Sequence, residues 1–285
     1  MNGRSSLLFL IPSAALVGLL AGPALAGYQL TDKDGDKTLV SKGRVKELSG
    51  EGAGPQSVFD LGLARAWMSN PDRGVYWEGT IDELCTTIRD TTAAIGKAMH
   101  DAMEAQLSQL SPENRAKVEE LRKQLEANRK KEEGKASPGV VKVERTEQTD
   151  TIAGQPTRKF NVLVDGALYE EDWLTTDPAL AKEFALDRAS ELMSRVSACA
   201  IASDPDPSHP KGIDEGKIYQ KLYPQGWPLK TVAHEGGKPH TKTEITKVEK
   251  REVPESEFKP PPGYRKAPLS EVMFSGMSGP AGSEL

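Results

Sequence analysis

Glu170 and Asp172 are the side chains whose type and spacing come nearest to chemistry. They lie two apart in Tyr169-Glu170-Glu171-Asp172, a run that reads as strand. Residues i and i+2 of a strand share a face, as a general acid and its base would have to. A solvated strand face carries the same spacing without any site. Asp32-Lys33-Asp34-Gly35-Asp36 opens like a calcium loop, with carboxylates at positions one, three and five. Lys37 then stands where the loop needs glycine, and Gly43 where it needs a bidentate carboxylate, so a tight turn is expected instead. The four histidines are His100, His209, His234 and His240. His234 and His240 flank Gly236-Gly237 and can face each other across a hairpin, but two imidazoles without a third ligand do not make a metal centre. There is no Gly-x-Ser-x-Gly elbow and no glycine-rich phosphate loop. The expectation is a protein without catalytic residues, metal or cofactor.

The two cysteines, Cys85 and Cys199, fall on segments with helical periodicity. Their separation excludes a Cys-x-x-Cys redox site. In an oxidising compartment they would close a long loop, contributing roughly 4–5 kcal/mol if unstrained. Reduced, they would pack as small apolar side chains. The N-terminus favours oxidation. Arg4 precedes an apolar run, Leu7 to Leu20; Gly22 and Pro23 break it, and Ala24-Leu25-Ala26 offers a small-x-small cleavage site. Residues 1–26 are therefore expected to be a signal peptide cleaved after Ala26. No cysteine at the cut can carry a lipid, so the product is expected to be soluble in the periplasm without a membrane anchor.

Hydrophobic residues make up 37% and charged residues 28% of the 285, with a formal charge of −5. That composition suits a folded core with extensive polar surface. It gives no basic footprint for nucleic acid and no polybasic patch for anionic lipid.

Stepping along the chain, Tyr28–Gly79 carries short strand-like runs punctuated by Asp34-Gly35 and Asn70-Pro71, with Phe59, Trp67, Tyr76 and Trp77 among them. Thr80–Leu110 changes to helical spacing through Ile81, Leu84, Cys85, Ile88, Ile95, Met99, Met103, Leu107 and Leu110. Core packing is the ordinary reading of that stripe; its methionines also suit a promiscuous groove for apolar clients. Ser111-Pro112 restarts a highly charged helix to about Lys130. Phe160–Val164 and Ala167–Leu174 form a hairpin on Asp165-Gly166. Asp177-Pro178 opens a helix with Ala185, Ala189, Leu192, Val196 and Cys199 inward. Trp227–Ala233 and Thr241–Val248 are the last strand pair. Sheet, long helices, sheet, helix and sheet predict an α+β fold with a mostly antiparallel sheet.

Four stretches carry a resemblance: Ala64-Arg65-Ala66-Trp67-Met68 through Val75-Tyr76-Trp77-Glu78; Ile152-Ala153-Gly154 through Phe160-Asn161-Val162; Asp165-Gly166 through Trp173-Leu174; and Glu257-Phe258-Lys259-Pro260-Pro261-Pro262-Gly263-Tyr264. In this order they resemble the bacterial family called domain of unknown function 4412, grouped with the periplasmic lipoprotein carriers LolA and LolB. The resemblance implies a curved, incomplete antiparallel barrel with helices covering its open side. It also implies a concave apolar face of the kind that holds acyl chains, here with Phe59, Trp67, Tyr76, Trp77, Phe160, Val162 and Trp173 as lining candidates. It brings no catalytic residues. The expected organisation is a signal peptide over 1–26, one domain over 27–269 with a helical insert at 80–135, and a disordered tail over 270–285.

Two functions are expected from this. One is a non-enzymatic periplasmic binder of an apolar ligand, a lipid or an acylated protein. The other is a helical chaperone or interaction module, since Leu110-Ser111-Pro112-Glu113-Asn114-Arg115 resembles the repeat of small Spy-like periplasmic chaperones.

Overall fold

The computed structural model describes residues 24–50, 54–133, 139–203, 215–235 and 237–273. Among them, twelve strands form a single unclosed sheet. The first six are β1 (Ala24–Asp32), β2 (Lys37–Ser41), β3 (Arg44–Leu48), β4 (Gln56–Asp60), β5 (Arg65–Asn70) and β6 (Val75–Thr80). The second group is β7 (Val141–Ile152), β8 (Gln155–Val164), β9 (Ala167–Thr175), β10 (Pro228–Glu235), β11 (Lys238–Pro254) and β12 (Arg265–Lys266). Their order across the sheet is β12-β6-β5-β4-β3-β2-β1-β11-β10-β9-β8-β7. Only the β12–β6 pair is parallel. Two meanders are thus joined where β1 lies against the long β11.

β1 begins at Ala24 rather than at Tyr28. Ala24, Leu25 and Ala26 pair with Pro254, Val253 and Glu252, so the three residues before the expected cleavage point belong to the sheet. The rest of the expected signal lies outside the described residues.

Strand alternation divides the apolar side chains between two faces. One face builds the main core with Tyr28, Leu30, Val40, Val45, Trp77, Phe160, Val162 and Leu174. Helices cover it: α3 (Pro178–Phe184), α4 (Leu186–Ser203), α5 (Glu215–Leu222) and α6 (Leu269–Met273). Leu180, Phe184, Leu192, Ile218, Leu222 and Leu269 complete the cluster. The opposite face carries a smaller cluster, Leu39, Val58, Trp67, Val253 and Phe258.

The long helices fall where the spacing predicts, as α1 (Ile81–Ser108) and α2 (Pro112–Glu133). Thr80 starts α1 with a capping box: its hydroxyl accepts from Glu83 N, and its own N–H donates to Glu83 Oε2 at 2.7 Å. Core packing of the whole stripe does not follow. Ile81 and Leu84 are buried at the base and Leu107 near the tip, while Met99 and Met103 are exposed.

Three further expectations are corrected. The single helix after Asp177 is two, α3 and α4, because Ala185 adopts a left-handed conformation (φ 46°) and its N–H turns back to Lys182 O. Leu269–Met273 is helix rather than tail, with Leu269 and Val272 buried. His234 and His240 do not face each other: His234 stands opposite Pro239 and His240 opposite Ala233, so the two fall on opposite sides of the hairpin. The Asp32–Asp36 segment is a turn, as expected, with Asp32 Oδ1 accepting from the N–H groups of Asp34 and Asp36.

Candidate functional site

Glu170 and Asp172 do share a face, and it is the covered one. Asp172 lies between Phe160 on β8 and Thr231 on β10, and Glu170 between Val162 and Ala233. Both are buried, Asp172 to 2% exposure. Thr231 Oγ1 donates to Asp172 Oδ1 at 2.7 Å, and Lys242 Nζ donates to Glu170 Oε1 at 2.8 Å. Asp172 Oδ2 is sealed from solvent and has no hydrogen-bond partner. Burial, helped by the Glu170 charge, pushes the Asp172 carboxyl up to about 7. Burial works against the Lys242 ammonium, but its hydrogen bond to Glu170, together with the charges of Glu170, Tyr169 and Glu215, raises it above the ordinary lysine value.

On the covered side, α5 and the turn after it bring aromatic rings to the main core. Tyr219 and Tyr223 lie 5.2 Å apart between ring centroids, and Tyr223 lies 5.2 Å from Trp227, which stacks on Phe184 at 3.8 Å. Burial raises both phenols, Tyr219 to about 12; the charges of Asp172 and Glu170 add to the effect on Tyr223, and those of Glu215 and Glu170 on Tyr219. Gly226 closes the turn: at φ 154° any Cβ there would stand 2.4 Å from Thr175 O.

The other side of the same strands carries a second polar group. Glu171 pairs with Lys159, and Lys159 and Lys230 sit 5.1 and 5.9 Å from the Trp173 ring centroid. Burial alone would raise the Glu171 carboxyl, but Lys159 and His234 hold it below its ordinary value. His234 Nε2 lies 3.3 Å from Glu171 Oε2, at ion-pair distance but outside hydrogen-bond geometry.

The seven lining candidates do not form one surface. Trp77, Phe160 and Val162 are buried in the main core, and Phe59 packs against it. Trp67 is on the opposite face, in the smaller cluster. Tyr76 alternates with Val75 and Trp77, which places it away from the main core, while Trp173 is partly buried and packs against that core. Cys85 and Cys199 are joined as a disulfide with Cα atoms 5.3 Å apart, tying the base of α1 to α4. Among the described residues no group of three or more His, Cys, Asp or Glu could hold a metal ion. No described helix is long and apolar enough to cross a membrane.

Sequence spacing pointed to Glu170 and Asp172 but not to Lys242, Tyr219 or Tyr223. Lys242 reaches Glu170 because the β10–β11 register shifts at Thr231/Val232. The signal for α5 was Ile218, Leu222 and Tyr219 at helical spacing, in a stretch shorter than three turns.

Five of the exposed large apolar side chains among the described residues are on the helical insert. Met99 (67%), Met103, Leu110, Val118 and Leu121 (56%) are all exposed along α1, α2 and the turn between them. An Arg122–Glu104 ion pair at 2.7 Å bridges the two helices, and the Arg115 guanidinium donates to the Leu107 and Ser108 carbonyls at the corner.

Residues 213–264 match the profile of a family described as Domain of unknown function (DUF4412). That segment supplies α5, β10, β11 and the turn at Glu255–Phe258. No curated protein matches the chain. A solved structure titled "Structure of PNGF-II in C2 space group" aligns at 10% identity with a TM-score of 0.34, over 87% of this chain and 31% of that one. The chain therefore spans about a third of that protein's length, and a superposition this loose carries no argument.

Proposed function

We propose that the protein is an exported, non-enzymatic binding protein whose α1–α2 hairpin offers an apolar stripe to segments of other polypeptides. The observation that carries this reading is the exposure of Met99, Met103, Leu110, Val118 and Leu121 on an insert whose base is tied to α4 by the Cys85–Cys199 disulfide. Isolated exposed apolar residues mean little; a run of them along one helix pair is the mark of an interaction surface. Methionine adapts its shape to different partners, which suits clients of varied sequence. The disulfide at the insert's base supports export to an oxidising compartment, the periplasm. In the test, the purified chain is mixed with a heat-denatured reporter protein and light scattering is followed. Wild type is expected to suppress aggregation, and M99S/M103S/L121S to lose most of that effect. Equal suppression by the two would overturn the reading.

A second reading is a carrier of an apolar ligand, a lipid or acylated protein, similar to LolA and LolB. The unclosed, mostly antiparallel sheet favours it, with Phe59, Trp77, Phe160 and Val162 turned to the helix-covered side. Mass spectrometry of gently purified protein is expected to reveal bound lipid if it holds; lipid-free protein that also fails to take up a fluorescent fatty acid would reject it.

A further inference from the structure

We infer that Met99 and Met103 are a reversible oxidation site, converted by a peroxide to methionine sulfoxide, and that oxidation there switches off the apolar stripe of the α1–α2 hairpin; the loss of client binding rests on the reading proposed above, the oxidation on exposure alone.

Sulfur is distributed unevenly over this chain. Cys85 and Cys199 are joined to each other, and no free cysteine remains. An oxidant is therefore left with thioethers. Of the seven methionines, Met68 and Met193 are half-buried against the main core, and Met1 and Met277 lie outside the described residues. Met99, Met103 and Met273 are exposed. Met273 stands alone at the end of α6. Met99 and Met103 are one turn apart on α1, so both thioethers lie on one face of the helix and would meet the same client.

The step needs only the oxidant. The thioether sulfur attacks one peroxide oxygen, an S–O bond forms and the O–O bond breaks. The transferred hydroxyl gives its proton to the departing hydroxide, which leaves as water. Sulfur loses two electrons and the peroxide gains them. The product is a polar sulfoxide, which a reductase can return to the thioether.

In a packed interior such a change is damage. Here it has no interior to damage, because Met99 and Met103 belong to neither buried cluster. Its effect falls on the stripe, where two apolar side chains become groups that hold water. Leu110, Val118 and Leu121 have no sulfur to oxidise, so the polar groups arise only along α1. The helix itself does not require sulfur at these positions, since leucine and methionine have nearly equal helix propensity.

The experiment treats the full chain with hydrogen peroxide, removes the peroxide, and reads peptide masses and suppression of reporter aggregation on the same samples. Sulfoxide is expected at Met99 and Met103 about tenfold or more faster than at Met68 and Met193. The oxidised chain, unchanged by circular dichroism, should suppress aggregation several-fold less. A pair of methionine sulfoxide reductases, one for each epimer, with a dithiol reductant should restore it; unoxidised chain carried through the same reductant controls for the disulfide. M99L/M103L should suppress as wild type does and keep that activity after peroxide. Equal oxidation rates at Met99 and Met68 overturn the inference. So does full suppression by chain oxidised at both positions, or an equal loss in M99L/M103L. Untreated wild type that suppresses nothing would sink the client-binding reading and the switch with it, while the peptide masses still decide the oxidation site.

Discussion

The indole N–H of Trp67 donates to the main-chain carbonyl of Phe258 at 2.9 Å, across 191 residues of sequence. The bond fixes the turn Glu255–Phe258 over the face of the sheet opposite the main core. Arg44 closes the same turn with two hydrogen bonds to Glu255 and stands 4.6 Å from the Phe258 ring centroid; Lys46 pairs with Glu257 at 2.9 Å. β5 and the segment that follows β11 thus meet as one clasp. Trp67→Phe removes the donor, leaves the Phe258 carbonyl buried without it, and opens a small void. A loss of about 2 kcal/mol is expected from urea denaturation. A loss below about 0.5 kcal/mol would mean that the clasp carries no weight.

Asp172 makes stability depend on pH in the direction opposite to most carboxylates. Its folded value is about 7 and its ordinary value 3.8. Folding therefore favours the protonated form. The contribution is full below the unfolded value and is lost as pH rises towards 7. The swing is on the order of 4 kcal/mol. Asp172→Asn keeps an acceptor for Thr231 and removes the charge. It is expected to raise the melting temperature near neutral pH and to flatten the profile between about pH 4 and 7. An unchanged profile would show that Asp172 is not held uncharged.

Much of this was legible in the sequence, and the failures have physical causes. Period-two alternation located the hairpin β8–β9, and the Asp165-Gly166 turn set its position. Period-three-and-four spacing located α1, and Ser111-Pro112 the start of α2. Spacing could not say that Met99 and Met103 face water, because an apolar stripe is the same whether or not a partner covers it. Ala185 ended α3 without glycine, so no residue type announced the break. Glu170 and Asp172 were legible as a pair on one face, but their burial depends on tertiary packing over that face, which spacing within one strand does not reveal. The side of the sheet occupied by Trp67 depends on pairing with β4, which the sequence does not show.

Gly226 is needed for its conformation and for space. Gly226→Ala would place a methyl 2.4 Å from Thr175 O and 3.0 Å from Leu174 Cβ, in a backbone region that alanine avoids. The turn carrying Tyr223 and Trp227 would have to move. A destabilisation of about 3 kcal/mol or more is expected, together with a changed tryptophan emission from Trp227. Wild-type emission and stability would show that the turn relaxes freely.

The disulfide closes a separation of 114 residues. On the chain-entropy account that is about 5 kcal/mol. The double variant C85S/C199S should lose a large part of this in denaturant titration. The local effect is more diagnostic. Hydrogen exchange in the first turns of α1 should accelerate more than in β8 and β9, because the bond holds α1 to α4 and not to the sheet. Uniform acceleration over the whole chain would show that the bond acts only on the unfolded state.

The insert separates stability from binding, and its two ends should behave oppositely. Leu84, at the base, is 1% exposed and belongs to the main core. Leu84→Ala removes three buried carbons and should cost about 2–5 kcal/mol. Met99 and Met103 touch no part of that core, and Leu121 is 56% exposed. Met99→Ser, Met103→Ser and Leu121→Ser should each shift stability by less than about 0.5 kcal/mol. If these residues instead packed against α2 or the sheet in solution, their removal would cost as much as the base residue does. Comparable losses at Leu84 and Met99 in urea titrations would therefore reject an exposed stripe, and with it the ground for a client-binding hairpin. Near-zero losses with reduced suppression of client aggregation would assign the stripe to partners rather than to the fold.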